Sequence, residues 1–417
     1  MEQRKRIYLC LAHMSPTGME QKYIQDAFEQ NWVVPLGPNV NGFEADLEAF
    51  VGEKKHVVAL SSGTAAVHLG LLACGVGRGD EVMTQSFTFC ASAHPVTYLG
   101  ATPIFVDSEP GTWNMDPVLL EEAILDRIRK TGRIPKAVMP VSLYGMPYCV
   151  DQIVRVANKY NIPVMEDVAE GLGSTFRGQP LGTFGRYGVL SFNGNKMITT
   201  SGGGALICPS VEEKERIMWY ATQAREAYPY YQHEAIGYNY RLSNICAGIG
   251  RGQMTVLRDH LSHHRHVQAM YEELLAGVEG ISVHTAPSED YDSNYWLTTI
   301  TLDPDLRVKG QSWAYSQAVN GAVGGAASVV HGGGTLRTDC QPNDNVEAMR
   351  VFLNNRQIES RPLWKPMHRQ PVYKDAPAYT NGVSEDLFRV GLCLPTGPCV
   401  SDDDVRYIVE CLKDGIG

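Results

Sequence analysis

The sequence predicts an α/β fold: a large domain on a mostly parallel sheet, followed by a smaller C-terminal α/β domain. Three observations lead there. Between residues 57 and 160, short apolar runs alternate with stretches of helical spacing, the pattern of strands joined by crossover helices. At 417 residues the chain is too long for one ordinary core. From about residue 278 the character changes to separated strand-like runs and a long Gly-rich stretch. The predicted division is 1–255 for the large domain with its N-terminal segment and 256–417 for the small one.

Taken in order, residues 19–30 and 41–51 carry helical spacing, with the loop WVVPLGPNV between them. A strand over 57–60 runs into Ser61, Ser62, Gly63 and Thr64, and a helix follows to 74. A small-residue turn between strand and helix leaves backbone N–H groups unpaired, which suits a phosphate. It also suits a plain helix cap, since Ser and Thr are preferred there. A strand at 81–83 leads to SFTFCAS, where Phe89 stands at a corner; it either packs in the core or stacks on a planar ring. Strands at 102–106 and 137–143 flank a helix at 117–129, and a helix covers 149–160. Farther on, the spacing predicts a helix over 211–226, an aromatic run at 228–240, and one long helix over 245–275 capped by Ser243. His263, His264 and His266 on that helix lack the i, i+4 spacing of a metal site and read as a mostly solvated face. Strands are expected at 281–284, 296–302 and 356–361. Residues 320–345 read as a mobile surface insertion, and a final amphipathic helix follows a cap at Ser401.

Composition narrows the function. Hydrophobic content of 44% and charged content of 20% fit a soluble globular protein. A formal charge of −10 opposes binding to a phosphate backbone. No apolar run reaches the roughly 20 residues that span a bilayer, and the N-terminal apolar patch is too short for a signal-peptide core. Ten scattered cysteines with no CxxC read as thiols of a reduced, cytoplasmic protein.

The chemistry centres on residues 161–205. A strand over 162–165 ends in Glu166 and Asp167; a second run, 187–192, delivers Ser191 and then Lys196 into a Gly-rich turn. A carboxylate and a lysine at one rim of an open sheet fit a ligand site. A desolvated lysine can bond to an aldehyde, and pyridoxal phosphate needs such a lysine together with an acid on its pyridine nitrogen. Alone, Lys196 reads as a solvated loop residue and Asp167 as a strand-end cap. The pair gains meaning only beside a phosphate site.

The motifs LSSGTAAVHL, SFTFCASAHPV, ATPIFVD, VMEDVAEGLGSTFRG, LSFNGNKMITT, GYNYRLSNI and RPLWKPMH occur in this order. Over nearly the whole chain they resemble the DegT family of pyridoxal phosphate-dependent nucleotide-sugar aminotransferases, which have the fold type I (aspartate aminotransferase-like) architecture. The resemblance implies roles. Lys196 would hold the cofactor and carry the proton, and Asp167 would pair with the pyridine nitrogen. Glu170 would stand beside the ring hydroxyl and Phe89 on the ring face. Gly63, Thr64 and Ser191 would bind the phosphate, and Asn239 would reach the phosphate of the other subunit of a homodimer. Arg361, Lys365 and His368 would lie near the diphosphate or sugar of the acceptor. The implied reaction moves an amino group, with glutamate as expected donor, to the 4-keto position of a UDP-linked 2-acetamido-dideoxyhexose for surface polysaccharide. GDP- or dTDP-linked ketosugars, or a pyridoxal phosphate-binding regulator without turnover, are the alternatives. One departure stands out: many members read TTGEGG after the lysine, where this chain reads TTSGGG with Ser201 and Gly202.

Overall fold

The computed structural model describes residues 4–52, 54–313 and 340–417. Eight strands make one sheet in two hydrogen-bonded halves. His56–Leu60, Gly204–Cys208, Tyr187–Ser191 and Met165–Asp167 form one half; Ala137–Met139, Glu81–Gln85, Thr102–Val106 and Ala378–Tyr379 form the other. Parallel bridges from Val138 to Val164 and from Val141 to Asp167 join them. Among the described strands of this sheet, only Gly204–Cys208 runs against its neighbours. The expected mostly parallel sheet is therefore present.

Its strands are buried on both faces, which is why they read as continuous apolar runs. The side chains still alternate. Val57 and Ala59 join one buried cluster with the helices Pro38–Val51, Pro117–Thr131 and Val150–Lys159. Val58 and Leu60 join the opposite cluster with Gly63–Ala73.

A second sheet, Ile281–Val283, Thr298–Leu302, Gly391–Leu394 and Arg361–Pro362, is antiparallel throughout. The helices Leu257–Leu275, Asp344–Asn354 and Asp402–Gly415 supply its own apolar cluster through Val267, Met349 and Ile408. The chain crosses between the two bodies at both ends. Ile7 bridges to Ile358 and joins the second cluster, while residues 378–379 extend the edge of the large sheet.

Several local expectations change. The strand expected at 162–165 is Met165–Asp167, so both carboxylates lie in the strand. The long helix at 245–275 is two helices, Asn244–Met254 and Leu257–Leu275, and Ser243 does cap the first through the Ile245 amide. The helix at 211–226 ends at Ala221, and the strand at 356–361 is only Arg361–Pro362. His264 is fully buried, not solvated: its Nδ1 lies 3.0 Å from the Tyr295 carbonyl oxygen. Most of the expected insertion at 320–345 lies outside the described residues; its end is folded, with Cys340 and Asn345 buried and Asp344 opening a helix. All ten cysteines are free thiols. Among the described residues no helix is long and apolar enough to cross a membrane.

Candidate active site

The C-terminal ends of the parallel strands meet at one rim, where open α/β sheets place ligands. A cavity of about 300 Å³ lies there. Its walls include Gly63, Thr64, Phe89, Asp167, Glu170, Ser191 and Lys196. Seven of the residues singled out in the sequence thus converge from five separate segments.

Adjacent strand residues point to opposite faces, and this separates the two carboxylates. Glu166 turns away and accepts the amides of Gly182, Phe184 and Gly185 at 2.9, 2.7 and 2.6 Å, a clasp on the following loop. Asp167 turns into the cavity. Its Oδ2 accepts from Ser92 Oγ at 2.6 Å and its Oδ1 from the Ala169 amide at 3.1 Å. Ser92 Oγ in turn lies 2.8 Å from Thr88 Oγ1. Burial pushes the Asp167 carboxyl above the usual range; the Ser92 hydroxyl, the Ala169 amide and the Lys196 charge pull the other way.

Lys196 is held from two sides. Its Nζ lies 3.3 Å from Glu170 Oε1 and 3.9 Å from the centre of the Trp296 ring. Trp296 is itself fixed, donating from Nε1 to the Asn195 carbonyl at 2.6 Å. Glu170 Oε2 accepts the Tyr144 amide at 2.7 Å. Burial raises the Glu170 carboxyl, opposed first by the Lys196 charge.

Across the cavity, Ser62 caps the helix Gly63–Ala73 by accepting the Ala65 amide at 3.0 Å. The amides of Gly63 and Thr64 take no partner among the described residues, as first-turn amides do not. A Cβ on Gly63 would lie 3.0 Å from that of Ser191, so glycine lets the two sides of this pole approach. Phe89 lines the cavity while 49% exposed, its ring 5.4 Å from that of Trp364. An aldehyde-reactive amine, a buried carboxylate, an open aromatic face and an amide-lined helix start surround one space. This set fits pyridoxal phosphate.

The remaining predicted residues lie elsewhere. Asn239 bridges to Thr222 and is not among this cavity's walls. Arg361 lines a neighbouring cavity of about 380 Å³ and is paired with Glu359 at 2.9 Å. Lys365 donates to the Cys340 carbonyl at 3.0 Å. His368 Nδ1 lies 2.6 Å from Ser86 Oγ and its Nε2 3.1 Å from Glu385 Oε1, so both ring nitrogens are engaged within the protein. Lys365 and His368 line neither cavity.

Sequence reasoning missed Ser92, Trp296 and Trp364. Ser92 was in view within SFTFCAS, three residues after Phe89, yet nothing local pairs it with Asp167. Trp364 lies inside RPLWKPMH, where the charged residues drew the reading.

A profile of the DegT/DnrJ/EryC1/StrS aminotransferase family matches residues 16–314 and 326–413. EpsN of Bacillus subtilis (strain 168), whose name places it among pyridoxal phosphate-dependent aminotransferases, is 43% identical over 98% of this chain and 95% of its own. The GDP-perosamine synthase of Escherichia coli O157:H7 is 32% identical over 98% of each chain. The crystal structure of a DegT DnrJ EryC1 StrS aminotransferase from Brucella abortus superposes with a TM-score of 0.81 at 25% identity, covering 96% of both chains.

Proposed function

The chain belongs to the DegT/DnrJ/EryC1/StrS aminotransferase family and is a pyridoxal phosphate-dependent sugar transaminase, and we propose that it carries an amino group from glutamate to the 4-keto position of a UDP-linked 2-acetamido-dideoxyhexose for capsule, O-antigen or glycan synthesis. The observation that carries the catalytic part is the meeting of Lys196, Asp167 and the Ser62–Gly63–Thr64 turn in one cavity. The sugar is read from the resemblance of RPLWKPMH to the branch that makes 4-amino sugars on UDP.

Bound in this cavity, pyridoxal phosphate supplies a ring that accepts electrons from the carbon losing a proton. The chain's own residues do the rest. Lys196 Nζ takes and returns that proton, as a general base and then acid. Glu170 and the Trp296 face restrict where Nζ can lie, which favours one trajectory. Asp167, whose charged form the Ser92 hydroxyl and the Ala169 amide favour against burial, would balance a positive ring nitrogen. The amides of Gly63 and Thr64, with the hydroxyls of Thr64 and Ser191, hold the phosphate. Phe89 covers one ring face. Asn239 serves the partner's site in a homodimer. Arg361 serves the acceptor, while Lys365 and His368 tie the loop that carries Trp364.

The domains follow the same reading: 1–255 holds the cofactor and 256–417 closes on it, with the boundary at the helix break between Met254 and Leu257.

The test is to incubate the protein with pyridoxal phosphate, glutamate and a panel of 4-keto and 3-keto sugars on UDP, GDP and dTDP, then identify products by mass and NMR. A 4-amino UDP-sugar is expected. A product only on GDP would move the assignment to the chemistry named for the Escherichia coli relative. Absence of any aminated sugar would overturn it.

A further inference from the structure

We propose that Tyr144 is a positioning residue that joins two grips on this site: the Glu170 carboxylate that holds Lys196 and the Trp364 ring beside Phe89. The inference rests on the reading of the cavity as the cofactor site, and it adds how the two bodies of the fold set the lysine together.

The backbone gives the first sign. Tyr144 has φ of 53° and ψ of 16°, in the left-handed region that a residue with a Cβ seldom takes. Such a conformation persists only where its surroundings over-determine it. Here they do. The Ser142 amide donates to the Asp167 carbonyl at 3.0 Å, which roots the turn on the strand that ends in Asp167. On the other side, Ser174 Oγ donates to the Gly145 carbonyl at 2.6 Å. Tyr144 itself is 4% exposed.

Turned this way, one residue reaches two groups. Its amide donates to Glu170 Oε2 at 2.7 Å, and Glu170 Oε1 lies 3.3 Å from Lys196 Nζ. Its Oη accepts the Trp364 amide at 2.8 Å. Trp364 stands two residues past the strand Arg361–Pro362 of the second sheet, so this bond crosses between the two bodies. The rings of Tyr144 and Trp364 lie 17° from parallel with centres 6.3 Å apart, and the Trp364 ring is 5.4 Å from that of Phe89. Burial holds the Tyr144 phenol well above its ordinary range, so the hydroxyl stays neutral.

The neighbouring ties of the Trp364 segment run elsewhere. The Leu363 amide donates to the Gly391 carbonyl and the Met367 amide to the Ser86 carbonyl. Among the described residues, the bond to Tyr144 is the one hydrogen bond that Trp364 makes. A shift of the Trp364 ring therefore pulls on Tyr144, and a shift of Tyr144 moves the amide that orders Glu170. Removing the hydroxyl separates the two ends.

The experiment replaces the six tryptophans with 5-fluorotryptophan and follows the Trp364 fluorine signal, identified by its absence from Trp364→Phe. Wild type, Tyr144→Phe, Glu170→Gln and the double variant are compared by fluorine NMR, cofactor-free and loaded. Glu170→Gln should shift the Trp364 signal, and by less than about half as far when residue 144 is Phe. Tyr144→Phe should also slow the cofactor's absorbance change on mixing with glutamate about tenfold, the weight of one hydrogen bond. The half-saturating glutamate concentration should move less than about twofold. A tyrosine that only fills space would lower the melting temperature and leave both readings unchanged. The inference is overturned if the Trp364 signal ignores Glu170→Gln, or if it moves equally in both backgrounds. It is also overturned if Tyr144→Phe, assayed well below its melting temperature, reacts with glutamate at the wild-type rate. If wild type itself does not react with glutamate, the functional reading fails, while the fluorine comparison, which needs no substrate, still decides the link.

Discussion

Asp167 is 4% exposed, and one hydroxyl at 2.6 Å opposes the rise that burial imposes on its carboxyl. Removing that hydroxyl leaves burial less opposed, so the Asp167 carboxyl rises further and the protonated form gains ground at neutral pH. For Ser92→Ala the acid limb of the kcat/KM profile should therefore move to higher pH, with kcat at pH 7 down about tenfold; Ser92→Thr should restore most of it. An unmoved acid limb would mean that Ser92 only fills space. His264 gives a stability prediction with the opposite origin. Burial holds its imidazole down at about 3. The unfolded chain binds a proton near pH 6.5 and the folded chain does not, so this group's contribution is full above 6.5 and is lost as pH falls toward 3. Denaturant melts from pH 7 to 5 should show wild type losing about 1.4 kcal/mol per pH unit below 6 from this residue. His264→Gln, whatever its loss at pH 7, should show a shallower slope by that amount. No local pattern marks His264 as buried, because the group that covers it, the Tyr295 carbonyl, is 31 residues away.

At the level of elements, the turn after Lys196 departs from the family pattern and shows a local conflict. Ser201 has φ of 72°, in the left-handed region, and its side chain is exposed. A non-glycine residue there costs roughly 1–3 kcal/mol, while glycine adds about 0.4–1 kcal/mol of unfolded-state entropy. Ser201→Gly should thus be more stable than Ser201→Ala by about 1 kcal/mol, read from urea midpoints at equal slope. Equal midpoints would show that the turn relaxes. The parallel strands were legible because burial on both faces leaves an apolar run, as in HVVAL at 56–60. The break between Met254 and Leu257 was not, since neither Pro nor Gly marks it. Thr255 Oγ1 bonds back to the Gly252 carbonyl at 2.6 Å there, and Ala247 before the break and Leu257 and Leu261 after it pack into one apolar cluster. Likewise Arg361–Pro362 is a strand only because Cys393 and Leu392 arrive beside it.

At the scale of the whole molecule, some of the exposed apolar residues among those described lie in segments tied to the phosphate pole and its neighbouring helix. Tyr230, Tyr231 and Ile236 are 61, 79 and 83% exposed in the segment that leads to Tyr240, whose carbonyl accepts the Ser61 amide at 2.7 Å. Val33 and Leu36 are also exposed, and the Val34 carbonyl accepts the Asn244 amide at 3.0 Å. Such patches mark interaction surfaces, and aromatic residues are enriched in them. In the proposed homodimer each site takes Lys196 from one subunit and Asn239 from the other. Each single variant, Lys196→Ala or Asn239→Ala, should then lose activity when assayed alone, the first completely. Unfolded together and refolded, half of the dimers are hybrids, and each hybrid owns one site with both native residues. The mixture should recover about a quarter of wild-type turnover. If Asn239 acted within its own subunit, every hybrid would hold one site lacking the lysine and one lacking the asparagine. Refolding the mixture would then restore nothing beyond the residual rate of Asn239→Ala, and the shared site would be excluded.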